Sequence, residues 1–141
     1  MNEKALLAEL DNFFLINLLH AYQDRRNLYL LLDYLPGGDL RMHLSHKKFS
    51  EEEAKFVVVC VLLGLKYLHE KGVIHRDIKP ENIVLDKRGY AHITDLGVAR
   101  PMRPNNSSDT SGTPGYMAPE VLCRQDHSYS VDYFAVGIIT H

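Results

Sequence analysis

The stretch VIHRDIKPENIVL, Val73 to Leu85, sets an imidazole, a guanidinium, two carboxylates, an ammonium and an amide within eight residues, between two short apolar runs. A solvated surface turn needs polarity, but it does not need so many different chemistries. Val73–Ile74 and Ile83–Leu85 have to be buried, so both ends of the turn are pinned and the polar side chains between them form a fixed array. NIVLD and YAHIT then flank KRG, which predicts a β-hairpin. Asp95, Leu96 and Gly97 follow that hairpin directly.

The rest of the chain reads as a scaffold for this turn. Ala5, Leu6, Leu7 and Leu10 recur at helical spacing, so residues 1–11 read as the end of a helix. Asn27–Tyr34 is a short apolar run ending in turn residues and predicts a buried strand. Pro36, Gly37 and Gly38 break it, and Asp39 is placed to cap a short helix running to His46. Ser50–Glu53 is a capping box with acids at the positive helix end. Ala54, Val57, Val58, Val61, Leu62, Leu65 and Leu68 then form one apolar stripe, closed by Gly72 as a C′ glycine. From Pro101 to Gly115 there is almost nothing to bury, which predicts a mobile loop. SVDYFAVGII, Ser130 to Ile139, is apolar on nearly every side and predicts a central helix with one acid, Asp132.

Composition excludes several function classes. At 141 residues the chain fits one domain with a real core, 45% hydrophobic and 24% charged. A net charge of −2 offers no basic field for nucleic acid and no polybasic patch for a membrane. Glu3, Glu9 and Asp11 stand where a signal peptide would be basic and then apolar. The apolar run Val57–Leu65 is too short to cross a bilayer. Cys60 and Cys123 are isolated and read as free thiols, which points to a soluble, cytoplasmic chain. His43 and His46 can share a helix face, but no third ligand is near, so they read as solvated.

Four clusters remain to be explained together: His75–Asn82, Asp95–Gly97, Gly112–Glu120 and Asp132. Taken singly, a turn, a loop and a stray buried acid account for the last three. Their order changes that. HRDIKPEN, DLG and APE succeed one another as the catalytic loop, metal motif and closing motif of the eukaryotic protein kinases. The seven fixed positions of HRDIKPEN alone, at roughly one in twenty each, would arise by chance on the order of once in 10⁹. The chain resembles the serine/threonine branch of that family, AGC-like, over its whole length. The resemblance implies an α+β, protein kinase-like fold: a partial N-lobe (1–32), a hinge (33–38) and the first half of the helical C-lobe (39–141).

It also implies roles. Asp77 would accept or orient the substrate hydroxyl, Lys79 would face the transferred phosphate, and Asn82 and Asp95 would supply oxygen ligands to Mg2+. Lys79 and the GTPGY segment favour serine or threonine over tyrosine, with Thr113 near Asp77 and Lys79. ATP would meet backbone groups of Asp33 and Leu35, the side chain of Asp39 at the ribose, and Val84 and Leu40 at the adenine face; Glu81 is a further nucleotide-site candidate. Glu3 would pair with the ATP-binding lysine of the family. Leu32 stands at the gatekeeper place, and Leu7, Leu18, His75 and Leu96 form a stacked column. Asp132 would accept N–H groups of the His75–Arg76 turn. Arg76 would need an anion from the loop, where Asp109 stands among Ser107, Ser108, Thr110 and Ser111.

Two departures matter. Leu96 replaces the usual phenylalanine and keeps an apolar plug there. No glycine-rich loop or matching lysine precedes Glu3, and His141 falls inside the last helix. The expectation is a piece of a longer kinase, incomplete at both ends and inactive alone, which would phosphorylate protein substrates only in the parent domain. A truncated, non-catalytic binding module is the alternative.

Overall fold

The computed structural model describes residues 8–141. The helix expected over residues 1–11 therefore lies largely outside the described residues, with only Ala8 and Glu9 seen as helical. Glu3 and Leu7 also lie outside them. Three two-stranded antiparallel sheets and four α-helices follow. Strands β1 (Leu18–Gln23) and β2 (Leu28–Leu32) form a hairpin. Helices α1 (Leu40–His46) and α2 (Glu51–Glu70) come next. The opening stretch of sequence lies between β3 (Val73–Ile74) and the hairpin of β4 (Ile83–Leu85) and β5 (Ala91–Ile93), with a single 3-10 turn at Pro80–Asn82. Strand β6 (Arg100–Pro101) pairs back onto β3. Helices α3 (Pro119–Leu122) and α4 (Ser130–Thr140) complete the chain.

Helix α2 is the central strut, and its sequence explains it. Ser50 accepts from the Glu53 N–H at 3.2 Å while Glu53 accepts from the Ser50 N–H at 2.8 Å, so the capping box is closed from both sides. Lys47 reinforces Glu53 at 2.6 Å. Gly72, at φ 74°, ends the helix, its N–H bonded to the His69 carbonyl at 2.9 Å. Twenty residues give a rod about 30 Å long. The buried stripe is Val57, Cys60, Val61, Gly64, Leu65 and Leu68. Leu62 instead faces outward at 37% exposure, and Gly64 is the position the apolar pattern misses. A Cβ there would lie 2.9 Å from Ile93 Cδ1 and 3.0 Å from the Phe14 carbonyl. Glycine thus lets α2 press directly against β5 and the strand-like segment beside it, where Ile93 N–H donates to the Phe14 carbonyl and the Ile93 carbonyl accepts from Ile16 N–H.

Around the Val73–Leu85 stretch, Leu15, Leu65, Leu68, Ile78, Ile83 and Ile93 are almost wholly buried. Three expectations are corrected. Asn27–Tyr34 does contain a strand, but Leu28, Tyr29 and Leu31 are exposed, because the β1–β2 ribbon has no second layer over that face among the described residues. The loop from Pro101 does bury something: Asn106 is 3% exposed and exchanges two hydrogen bonds with the backbone of His127, at 2.7 and 2.9 Å. Helix α4 is buried on one face only; Val131, Asp132, Ala135 and Val136 point inward, while Tyr133, Phe134 and Ile138 are exposed. No helix among the described residues is long and apolar enough to cross a membrane.

The break after β2 brings the chain tight against β4. Gly37 N–H donates to the Leu85 carbonyl at 2.8 Å, and Leu85 N–H returns a bond to the Gly38 carbonyl at 2.9 Å. A Cβ on Gly37 would lie 2.6 Å from the Leu85 carbonyl oxygen, a backbone atom that cannot swing aside. Gly37→Ala is expected to destabilise the protein by about 1–3 kcal/mol, the usual cost of overpacking. Urea unfolding of the full-length protein measures it.

Candidate active site

The Val73–Leu85 stretch begins with an unusual backbone. Arg76 has φ 70°, in the left-handed region that a side chain disfavours. The cause is Asp132, whose carboxylate accepts the His75 N–H at 3.0 Å and the Arg76 N–H at 2.8 Å. Asp132 is 1% exposed, and His69 on α2 gives it a third contact, Nε2 to Oδ2 at 2.8 Å. His75 is fully buried; its Nε2 faces the Thr94 carbonyl at 3.1 Å and its Nδ1 accepts from the Asp77 N–H at 3.3 Å. That network assigns the neutral tautomer with its proton on Nε2.

The polar side chains after Arg76 face outward from this anchor. Lys79 Nζ lies 2.8 Å from Asp77 Oδ2 and donates to Thr113 Oγ1 at 2.8 Å. Thr113 in turn donates to Asp77 Oδ1 at 2.6 Å. The three side chains close a triangle across 36 residues of sequence. Burial pushes the Asp77 carboxyl up, but hydrogen bonds from Lys79 and Thr113 outweigh it and hold its pKa below the usual carboxylate value. The hydrogen bond to Asp77 raises Lys79. Asn82 is 6% exposed and spends its amide hydrogens on the Asp77 backbone carbonyl at 2.9 Å and on Oδ2 at 3.1 Å. Its oxygen is left without a partner among the described residues.

Asp95 is exposed at the other side of the site, at φ 60°. One oxygen accepts the Gly97 N–H at 3.0 Å; the other makes no hydrogen bond among the described residues. Leu96 is 2% exposed, so it does plug the core behind that turn. The donor set suits a magnesium ion that keeps waters and phosphate oxygens in its shell: one amide oxygen, one carboxylate, no soft ligand. Among the described residues no group of three or more His, Cys, Asp or Glu converges into an all-protein cage.

The remaining candidates are distributed around the β2–α1 break. Asp33 N–H bonds to the Asn17 carbonyl at 3.1 Å, and its carboxylate takes the Asn17 backbone and side-chain amides at 3.0 and 2.9 Å. The Asp33 carbonyl and the Leu35 backbone form no bonds among the described residues. Asp39 caps α1 through Met42 N–H at 2.8 Å and bridges to Val84, which is half-buried on β4. Leu32 and Leu18 are half-buried and pack on the core, while Leu40 is 2% exposed and belongs to the core itself. Glu81 is held by α1: Arg41 Nε donates to its Oε1 at 2.8 Å.

Sequence reasoning missed Arg41, His69 and Asn106, none of which carries a local signal. It did single out Asp109, which lies 3.6 Å from Arg76 Nη1 and accepts from Arg103 at 3.0 and 3.3 Å. Arg76 itself is tied by Nε, at 2.8 Å, and by Nη2 to the Val98 carbonyl. Burial lowers the Arg76 pKa, Asp109 opposes that, and Arg100 and Arg103 add repulsion.

The protein kinase domain model matches residues 1–141. The cAMP-dependent protein kinase catalytic subunit of Dictyostelium discoideum is 39% identical over 139 residues, 98% of this chain and 21% of that protein. Human ribosomal protein S6 kinase alpha-1 is 43% identical over 140 residues, 97% of this chain and 19% of its own length. The mouse cAMP-dependent protein kinase catalytic subunit PRKX is 40% identical, with 98% and 39% covered. The chain thus spans between about a fifth and two fifths of these relatives.

Two outcomes test the geometry. Asp77 is held below the ordinary carboxylate pKa of about 4, so its stabilisation is complete above that value and is lost as pH falls through the folded pKa. Thr113→Val removes one donor and should move that loss to higher pH, visible as an upward shift of the acid-unfolding midpoint. Asp109→Asn leaves Arg76, 6% exposed, with a weaker partner. The expected cost is on the order of 1–3 kcal/mol, read by urea unfolding together with faster amide exchange over residues 106–112.

Proposed function

The chain belongs to the protein kinase family, and from that premise we propose that the full-length protein transfers the γ-phosphate of ATP, with Mg2+, to serine or threonine side chains of protein substrates. The observation that carries this reading is the closed triangle of Asp77, Lys79 and Thr113. Phosphoryl transfer asks little covalent chemistry of a protein; it asks for positioning and charge neutralisation. Asp77 is ionised at neutral pH, and a lowered pKa makes it a weak base, so its task is to orient the acceptor hydroxyl and receive its proton late. Lys79, on the other edge of the same carboxylate, supplies positive charge where the phosphoryl group departs for the acceptor. Thr113 holds both and ties them to the segment along which a peptide would lie.

Asn82 and Asp95 would hold the magnesium ion, which neutralises phosphate charge when bound. Asn82 is already oriented, since both its amide hydrogens are committed and its oxygen is not. Residues 33–38 serve as the hinge between the partial N-lobe and the partial C-lobe, with the Asp33 carbonyl and the Leu35 backbone, which make no hydrogen bonds among the described residues, toward adenine and Asp39 toward the ribose. The half-buried Val84 meets the base; Leu40 supports it from within the core. A cytoplasmic location goes with the free thiols of Cys60 and the exposed Cys123.

Asp77 and Asp95 should fail differently when altered. In the full-length protein Asp95→Asn is expected to weaken both magnesium-dependent ATP binding and turnover, since it removes an ion ligand. Asp77→Asn should reduce turnover by two or more orders of magnitude while ATP affinity changes by less than about threefold. Calorimetric ATP titration and a radiolabelled peptide assay read the two quantities; equal loss of ATP affinity in both variants contradicts the assignment.

A further inference from the structure

We infer that Arg41 is a specificity-determining residue of the acceptor site: it occupies Glu81 and keeps that carboxylate from recruiting basic side chains of the substrate. The inference rests on the kinase reading and deepens it. Most of the carboxylates around the turn are committed: Asp132 takes the His75 and Arg76 N–H groups, and Asp109 faces the Arg76 guanidinium. Asp77 is held by Lys79 and Thr113, Asp95 belongs to the ion, and Asp39 caps α1. Glu81, two residues beyond Lys79 on the 3-10 turn, is the one left to face a peptide, and its side chain is 42% exposed.

A bare carboxylate on that rim would draw a cation from the peptide. Arg41 prevents it. Its Nε donates to Glu81 Oε1 at 2.8 Å and its Nη2 donates to the Tyr116 hydroxyl at 3.1 Å. Tyr116 is joined to the acceptor segment by its own N–H, which bonds to the Thr113 carbonyl at 3.1 Å. One guanidinium therefore joins α1, the catalytic turn and the segment carrying Thr113. Both arms of the planar fork are used, so it is better fixed than an ordinary exposed pair. The pairing also shows in the protonation: the hydrogen bond to Arg41 lowers Glu81, and the bond to Glu81 raises Arg41.

Arg41 and Glu81 are 55% and 42% exposed, so the guanidinium cancels the carboxylate and the pair presents no net charge. At physiological salt its influence fades over about 8 Å. An extended peptide advances about 3.3–3.6 Å per residue. The effect therefore falls on the two residues on either side of the acceptor, where the substrate class is neutral rather than basic.

The test uses the full-length protein and one serine peptide with alanine flanks, with arginine then placed in turn at each of the two positions on either side. The readout is the ratio of kcat/KM, arginine peptide over alanine peptide. The wild-type ratio is expected to stay under about twofold at every position, because the pair is already neutralised. Arg41→Met keeps the aliphatic stem and should raise the ratio about three- to fivefold at one position or more, as expected for an exposed ion pair. Adding Glu81→Gln to that variant should return the ratio to the wild-type value. A ratio unchanged by Arg41→Met, or a wild-type ratio already above about tenfold, overturns the inference while the kinase reading stands. No transfer to any peptide by the wild-type protein overturns both.

Discussion

The Asp132 carboxylate is the point from which the Val73–Leu85 stretch hangs. It is buried on α4, yet its oxygens receive two backbone N–H groups from the stretch and one ring nitrogen from α2. Buried backbone donors without partners cost about 1–3 kcal/mol each, so an apolar side chain at 132 would expose the turn to that full penalty. A left-handed non-glycine residue adds roughly 1–3 kcal/mol of strain, and Arg76 carries it because Asp132 over-determines its N–H. The result is a reversal of the chain at Arg76. His75 is driven into the core and Asp77 out of it, although they are two residues apart.

The segment after β6 is built onto that reversal at successive points. Asp109 faces Arg76, Gly112 touches the Arg76 carbonyl, and Thr113 joins Asp77 to Lys79. Gly112 has φ 135°, and a Cβ there would lie 2.6 Å from the Arg76 carbonyl oxygen. The backbone can approach so closely only without a side chain. A shift of this segment therefore cannot leave the Asp77 carboxylate unaffected, because Thr113 is one of its three side-chain tethers, with Lys79 and Asn82.

Legibility in the sequence followed the range of each interaction. The capping box of α2, its Gly72 stop and the β4–β5 hairpin are local devices, set by residues within a few positions of one another, and each appears where the pattern puts it. Asp132 and Thr113 were legible for another reason: an acid in an apolar helix and a threonine between a glycine and a proline gain meaning from the kinase resemblance. Arg41 and Asn106 offered neither kind of signal. Arg41 sits on an exposed helix surface like any soluble arginine, and only the fold brings Glu81 to it across 40 residues. Asn106 lies in a polar loop that composition reads as mobile, and its partner is the backbone of His127, which no side-chain pattern reveals. The exposed β1–β2 ribbon failed as a burial expectation because apolar strand residues state what needs covering, not whether a layer covers them.

Charge around Arg76 is satisfied in geometry more than in amount. Its guanidinium has the Val98 carbonyl on one edge and Asp109 on the other, but Arg103 shares the same carboxylate and Arg100 lies close enough to repel it. The two bonds to Asp109 differ in kind. Arg103 is 64% exposed, so salt screens its contribution, whereas Arg76 is 6% exposed and feels Asp109 through protein rather than water. Raising ionic strength therefore removes the outer arm first and also relaxes the repulsion among the arginines. The inner pair survives, and with it the link between the loop and the left-handed turn that sets Asp77.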